Sequence, residues 1–94
     1  MKNYTLVFGA SLKEDRYSNQ VIKKLRENKQ QVVAFGLQEG IVSNVAIVSE
    51  LINYEHIDTI TLYLGPKRQV AYYDYIISLK PRRVIFNPGT ENST

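Results

Sequence analysis

An α/β domain built on a parallel sheet is the fold class this sequence predicts, and three observations carry that prediction. Short apolar, β-prone runs alternate along the chain with stretches whose apolar residues recur at helical spacing. Each apolar run closes on a turn signal, at Gly9, Gly36, Gly65-Pro66 and Asn87-Pro88-Gly89. The chain has 94 residues, which is room for one domain.

The elements follow in order. Tyr4 to Phe8 (YTLVF) is a strand buried on both faces, since no polar residue but Thr5 interrupts it. Tyr17, Val21, Ile22 and Leu25 are spaced as one face of a helix. Lys23, Lys24, Arg26 and Glu27 fill the other face, and Asp15 or Ser18 is placed to cap its start. Gln31 to Phe35 (QVVAF) is the second strand. Between Leu37 and Tyr54, LQEGIVSN reads as a loop and SELINY as a short helix capped by Ser49. Asp58 to Leu64 (DTITLYL) is the third strand. Pro66 suits the first turn of a helix whose buried face would be Val70, Tyr73, Ile76 and Ile77, and Pro81 ends it. Arg83 to Phe86 (RVIF) is the fourth strand.

Strands alternating with helices imply right-handed crossovers, with helices on both faces of the sheet. The Rossmann-like, doubly wound order 3-2-1-4 would make the first and fourth strands neighbours. A ligand crevice would then open between Gly9-Ala10-Ser11 and Asn87-Pro88-Gly89, at the carboxyl ends of those strands.

Composition narrows the functions. No cysteine is present, which excludes disulfides, thiolate metal sites and a cysteine nucleophile, and a single histidine builds no metal cluster. No apolar run approaches the roughly 20 residues of a membrane span, and MKNYTLVFGAS reads as a strand rather than a leader. A cytoplasmic location with no membrane partner is the default expectation. A net charge of +3 favours a small anionic ligand and is too mild to indicate nucleic acid.

Gly9 permits a sharp turn and leaves backbone N–H groups open, Ser11 adds a hydroxyl, and the following helix presents its positive end. Together they suit a phosphate. Lys13 and Arg16 lie in the same loop and are able to add charge-assisted contacts. The plainer alternative is a tight strand-to-helix turn beside two solvated cations. G-x-G-x-x-G is absent, because Ser11 and Glu14 stand at the later glycine positions. The second strand ends in Phe35, Gly36, Leu37 and Gln38, without the acid that reads a ribose in NAD sites. No P-loop pattern occurs. The expected ligand is a phosphate compound other than a standard dinucleotide or nucleoside triphosphate.

FGAS, then DRYS at the helix start, GP after the third strand and FNPGTEN after the fourth resemble the small bacterial CoA-binding-domain proteins. These are similar to the CoA-binding domain of succinyl-CoA synthetase α subunits and NDP-forming acyl-CoA synthetases. The resemblance runs through essentially all of residues 1–94 and implies CoA or acyl-CoA as the ligand of a nucleotide-binding module, regulatory or otherwise without catalysis of its own. It implies that Gly9, Ala10 and Ser11 cradle the CoA diphosphate, with Arg16, Tyr17 and Ser18 beside it. Leu64, Gly65 and Pro66 would form the turn next to the nucleotide, and Lys67 and Arg68 would reach its outer phosphates. Asn87, Pro88 and Gly89 would line the far wall near the pantetheine arm. The chain departs from the family at Gly36-Leu37, where Asn-Pro is usual, so no adenosine-side contact carries over there. Family members also usually continue past PGTEN with a further helix and strand. A missing helix would leave one face of the fourth or the first strand uncovered, which favours a partner subunit such as a second copy in a homodimer.

Other candidates read as structural. His56 precedes the third strand, away from the crevice, so a phosphohistidine role is not expected. Glu14 and Asp15 are a cap and a solvated charge. Ser11 lacks a histidine and a G-x-S-x-G setting. Lys80 to Arg83 (KPRRV) enters the fourth strand from its amino end as a solvated patch. Of Tyr72, Tyr73 and Tyr75, Tyr73 is expected in the core and at least one other exposed, where it would mark a subunit contact. The functional alternatives are an NAD(P)-type nucleotide domain and a subunit of a CoA-dependent enzyme.

Overall fold

The apolar runs build one mixed sheet with helices on both faces. A computed structural model describes residues 4–87. In chain order the elements are β1 (Tyr4–Phe8), α1 (Tyr17–Glu27), β2 (Gln31–Phe35), β3 (Gly40–Val42), β4 (Val45–Val48), β5 (Ile57–Leu62), α2 (Pro66–Val70), α3 (Tyr73–Ser78) and β6 (Arg83–Phe86). The sheet order is β3-β4-β2-β1-β5-β6, parallel throughout except for β3 against β4. This is a Rossmann-like architecture.

The strand order departs from expectation. Among the four strands read from sequence the order is 2-1-3-4 rather than 3-2-1-4, so β5, not β6, lies beside β1. The cause is the segment expected as loop and helix. Residues 40–48 form a β-hairpin, and β4 takes the place beyond β2. The chain then crosses back to the free edge of β1. Ser43 and Asn44 make the hairpin turn with φ of 50° and 68°, the mirror-image geometry that matches strand twist. No helix forms over SELINY. Ser49 instead donates its hydroxyl to the Glu39 carboxylate at 2.7 Å.

Alternation on β1 divides the core. Leu6 and Phe8 face α2 and α3, together with Phe35, Ile60, Leu62, Ile76 and Leu79. Val7 faces α1, together with Ile22, Ala34, Val45 and Ile47. Of the helical face expected for α1, Ile22 is fully buried but Tyr17 is 61% exposed. Arg16 is the N-cap residue and makes no side-chain cap bond, so neither Asp15 nor Ser18 caps the helix.

The helix expected after Pro66 is two short helices, broken at Ala71 and Tyr72. The break resets the helical phase. Tyr72 turns onto the stacked rings of Phe8 and Phe35, with centroids at 5.1 and 5.6 Å. Tyr73, expected in the core, is partly exposed, and Val70 and Ile77 are exposed too. Of the four positions expected to face inward, Ile76 alone is buried, and Leu79 joins it. Gln69 braces the preceding turn from within the core. Its Nε2 donates to the Leu64 carbonyl at 2.8 Å, and its Oε1 accepts from the Tyr73 hydroxyl.

Candidate functional site

Three chain segments meet at the carboxyl ends of β1, β2 and β5. The first is the β1–α1 loop. Gly9 takes φ +99°, and a Cβ there would sit 3.0 Å from Leu64 Cδ2 and 3.1 Å from the Tyr63 carbonyl carbon. Both the strain and the close approach of the β5 turn require glycine. The N–H groups of Gly9 and Ala10 both donate to the Phe35 carbonyl, at 2.8 and 2.7 Å. They tie the loop to the end of β2 and, contrary to the sequence-based expectation, are not open to a ligand.

The open donors come later in the loop. The Ser11 hydroxyl accepts from the Lys13 N–H at 3.1 Å, which turns the loop upward. Asn19, 1% exposed, donates its Nδ2 to the Ser11 carbonyl at 3.0 Å and holds the loop from beneath. Its Oδ1 is buried and meets no partner. The N–H groups of Ser11, Tyr17 and Ser18 meet no acceptor among the described residues. Tyr17 and Ser18 begin α1, where the first-turn N–H groups have no intrahelical partner and the helix dipole favours negative charge. Ser18 is 3% exposed, lines the cavity, and its hydroxyl has no hydrogen-bond partner among the described residues.

The second segment is Gly36 to Gln38, which carries neither the acid of a dinucleotide site nor the Asn-Pro pair usual in the resembled family. Gly36 packs so tightly under the loop that a Cβ would lie 2.4 Å from the Ala10 carbonyl oxygen. Leu37 is 65% exposed and lines the cavity beside Gln38. The first carboxylate after β2, Glu39, is engaged with Ser49 rather than facing the cavity.

The third segment follows β5. The Tyr63 N–H donates to the Phe8 carbonyl at 2.8 Å and extends the ladder past the strand ends. Leu64, Gly65 and Arg68 form this wall, and Tyr72 closes its base against Phe35. The three segments enclose about 510 Å³, within the range of small-molecule sites. Among the described residues, Lys13, Arg16 and Arg68 line it beside one carboxylate, Asp15, a positive balance that suits an anion.

Of the residues singled out from sequence, Gly9, Ala10, Ser11, Lys13, Arg16, Tyr17 and Ser18 come together on one wall. Leu64, Gly65 and Arg68 face them. Pro66 opens α2, while Lys67 is exposed and outside the cavity lining. Asn87 is displaced with its strand. Its Nδ2 donates to Thr61 Oγ1 and to the Leu62 carbonyl, both at 2.8 Å, and it fastens the end of β6 to β5 instead of lining the cavity. Pro88 and Gly89 lie outside the described residues. Phe35, Gly36, Leu37, Gln38, Tyr63 and Tyr72 also line the cavity, although none of them is among the site residues expected from sequence. The glycine ending β2 was their one local signal.

The opposite end of the sheet holds a smaller apolar cavity of about 270 Å³ lined by Tyr4, Val33, Tyr54 and His56. His56 is exposed there, and its carbonyl accepts from the Tyr4 N–H at 2.9 Å. In the KPRRV segment, Arg82 lies 3.6 Å from the Asp58 carboxylate and Arg83 donates to Thr59 Oγ1, so both arginines engage β5. No group of three or more potential metal ligands occurs among the described residues, and no described helix is long and apolar enough to cross a membrane.

A profile of the CoA binding domain matches residues 3–94. A solved structure described as the crystal structure of an uncharacterized protein superposes with a TM-score of 0.88 at 40% identity, covering 98% of this chain and 76% of that one. No curated protein matches the chain.

Proposed function

Because the chain belongs to the CoA-binding domain family, we propose that it binds CoA or an acyl-CoA in the cavity above β1, β2 and β5, as a binding or regulatory module without catalysis of its own. The observation that carries this is the start of α1. Three backbone N–H groups and the hydroxyl of the largely buried Ser18 meet no acceptor among the described residues, beside a cavity lined by Lys13, Arg16 and Arg68. Such donors suit a diphosphate, which accepts many hydrogen bonds and carries charge that a helix N-terminus and cations stabilise. The pantetheine arm would leave along the wall of Leu64 and Gly65, which is apolar and offers few polar groups to desolvate.

Two observations set this above an NAD(P) site. The end of β2 carries neither an acid nor an arginine for the ribose, and Glu39 is held by Ser49. Catalysis is not assigned because no histidine lines the cavity to activate its serines, and His56 stands at the other end of the sheet. A CoA-dependent enzyme would need a partner chain to supply the reacting groups.

The test is isothermal titration with CoA, acetyl-CoA and NAD, paired with thermal melts. CoA at about 100 times its dissociation constant is expected to stabilise the fold by about 2.7 kcal/mol, several degrees in Tm. Stronger binding of NAD than of CoA would transfer the site to the dinucleotide reading. Turnover of an acyl-CoA by the pure chain would make it an enzyme.

A further inference from the structure

We infer that Lys13, from the β1–α1 loop, is the group that distinguishes CoA from its 3′-dephosphorylated form. This rests on the CoA reading above and adds to it the residue that recognises the second anionic centre.

In a doubly wound sheet the nucleotide ribose lies over the end of β2, where dinucleotide sites place an acid against its hydroxyls. CoA carries a phosphate on that ribose, so the same place has to offer a cation instead. The end of β2 offers none. Gly36 has no side chain and no room for one, Leu37 is apolar, and Gln38 is neutral. A cation must therefore come from a neighbouring segment.

The β1–α1 loop leans over this end of the sheet. Leu12 packs on the start of β3, its Cδ2 lying 2.5 Å from where a Cβ on Gly40 would be. Gly40 opens the hairpin that extends the sheet on the β2 side. Lys13 follows Leu12 directly, is exposed, and lines the cavity together with Leu37 and Gln38. It forms no ion pair among the described residues. Arg68 stands across the cavity, after β5, on the half away from β2. The two cations therefore face different parts of an extended ligand. Lys13 faces the ribose phosphate, and Arg68 faces the diphosphate and the arm beyond it.

The experiment measures affinity for CoA and dephospho-CoA in the wild type, Lys13→Gln and Arg68→Gln, with melts confirming that each variant folds. The wild type is expected to prefer CoA by about tenfold or more, the scale of one charge-assisted contact. Lys13→Gln should bring the ratio close to one by weakening CoA while leaving dephospho-CoA nearly unchanged. Arg68→Gln should weaken both ligands and preserve the ratio. A wild type that binds both ligands equally, a Lys13→Gln variant that keeps the preference, or a collapse of the ratio in Arg68→Gln would overturn the assignment while the CoA reading stood. A wild type that binds neither overturns both.

Discussion

Gly36 shows how one atom decides the shape of the site. The loop after β1 is drawn down onto β2 by two N–H groups sharing the Phe35 carbonyl, and this leaves residue 36 no volume for a side chain. The obstructing atom is the backbone oxygen of Ala10, at 2.4 Å, which cannot turn aside as a flexible side chain would. Gly36→Ala is therefore expected to cost about 3 kcal/mol, at the upper end of overpacking losses, and to lower CoA affinity as well. Urea unfolding with a parallel titration checks it, and a fully stable variant would show that the loop yields. A second prediction concerns Tyr75, whose hydroxyl donates to the Ile52 carbonyl. Burial, with a smaller contribution from Tyr54, raises its pKa to about 12. A tyrosine with a raised folded-state pKa contributes stability that is complete below its unfolded value of about 10 and is lost as pH climbs through the folded value. Stability should fall between about pH 10 and 12, and the fall should be shallower in Tyr75→Phe, read by denaturant melts across that range.

At the scale of elements, the β3–β4 hairpin reorders the sheet. Its strands span only Gly40–Val42 and Val45–Val48, too short for alternation to stand out, and its turn lacks glycine. Ser43 and Asn44 nevertheless both adopt positive φ. Asparagine tolerates that conformation, whereas a β-branched residue does not. Asn44→Val should destabilise by about 1–2 kcal/mol, and Asn44→Gly should be neutral or mildly stabilising. Chemical denaturation distinguishes the two, and equal stability would argue against the turn. The α2–α3 break has a similar origin. Helical spacing pointed Tyr73 inward, but the ring pair Phe8 and Phe35 offers a better seat to Tyr72, and two short helices joined at Ala71 and Tyr72 accommodate it.

At the scale of the molecule, the site exists because three segments distant in sequence end at one edge of the sheet. The cations that line it come from the β1–α1 loop, from the start of α1 and from α2, and no ion pair is formed by Lys13 or Arg68 among the described residues. Binding of a multiply charged ligand here should weaken with ionic strength. CoA affinity is expected to drop several-fold between about 50 and about 500 mM salt, as screening shortens from over 10 Å to a few Å. An affinity independent of salt would mean that apolar contacts with the arm dominate.

The sequence by itself determined what is local. Apolar runs ending in glycine marked β1 and β2, helical spacing marked α1, and the loop from Gly9 to Ser18 was legible as a wall of the candidate site because its residues lie within one strand-loop-helix unit. The missing acid after β2 was legible too, since it is a matter of residue identity. Tertiary structure alone decided which strand borders β1. That choice is made by non-local hydrogen bonding and by the hairpin filling the position beyond β2, and no periodicity along the chain records it. It therefore decided that Leu64, Gly65 and Arg68 form the opposite wall while Asn87 fastens β6 to β5. It also turned the Gly9 and Ala10 N–H groups toward Phe35, because a buried carbonyl at the end of a neighbouring strand has to be satisfied, and only the folded chain brings that strand within reach.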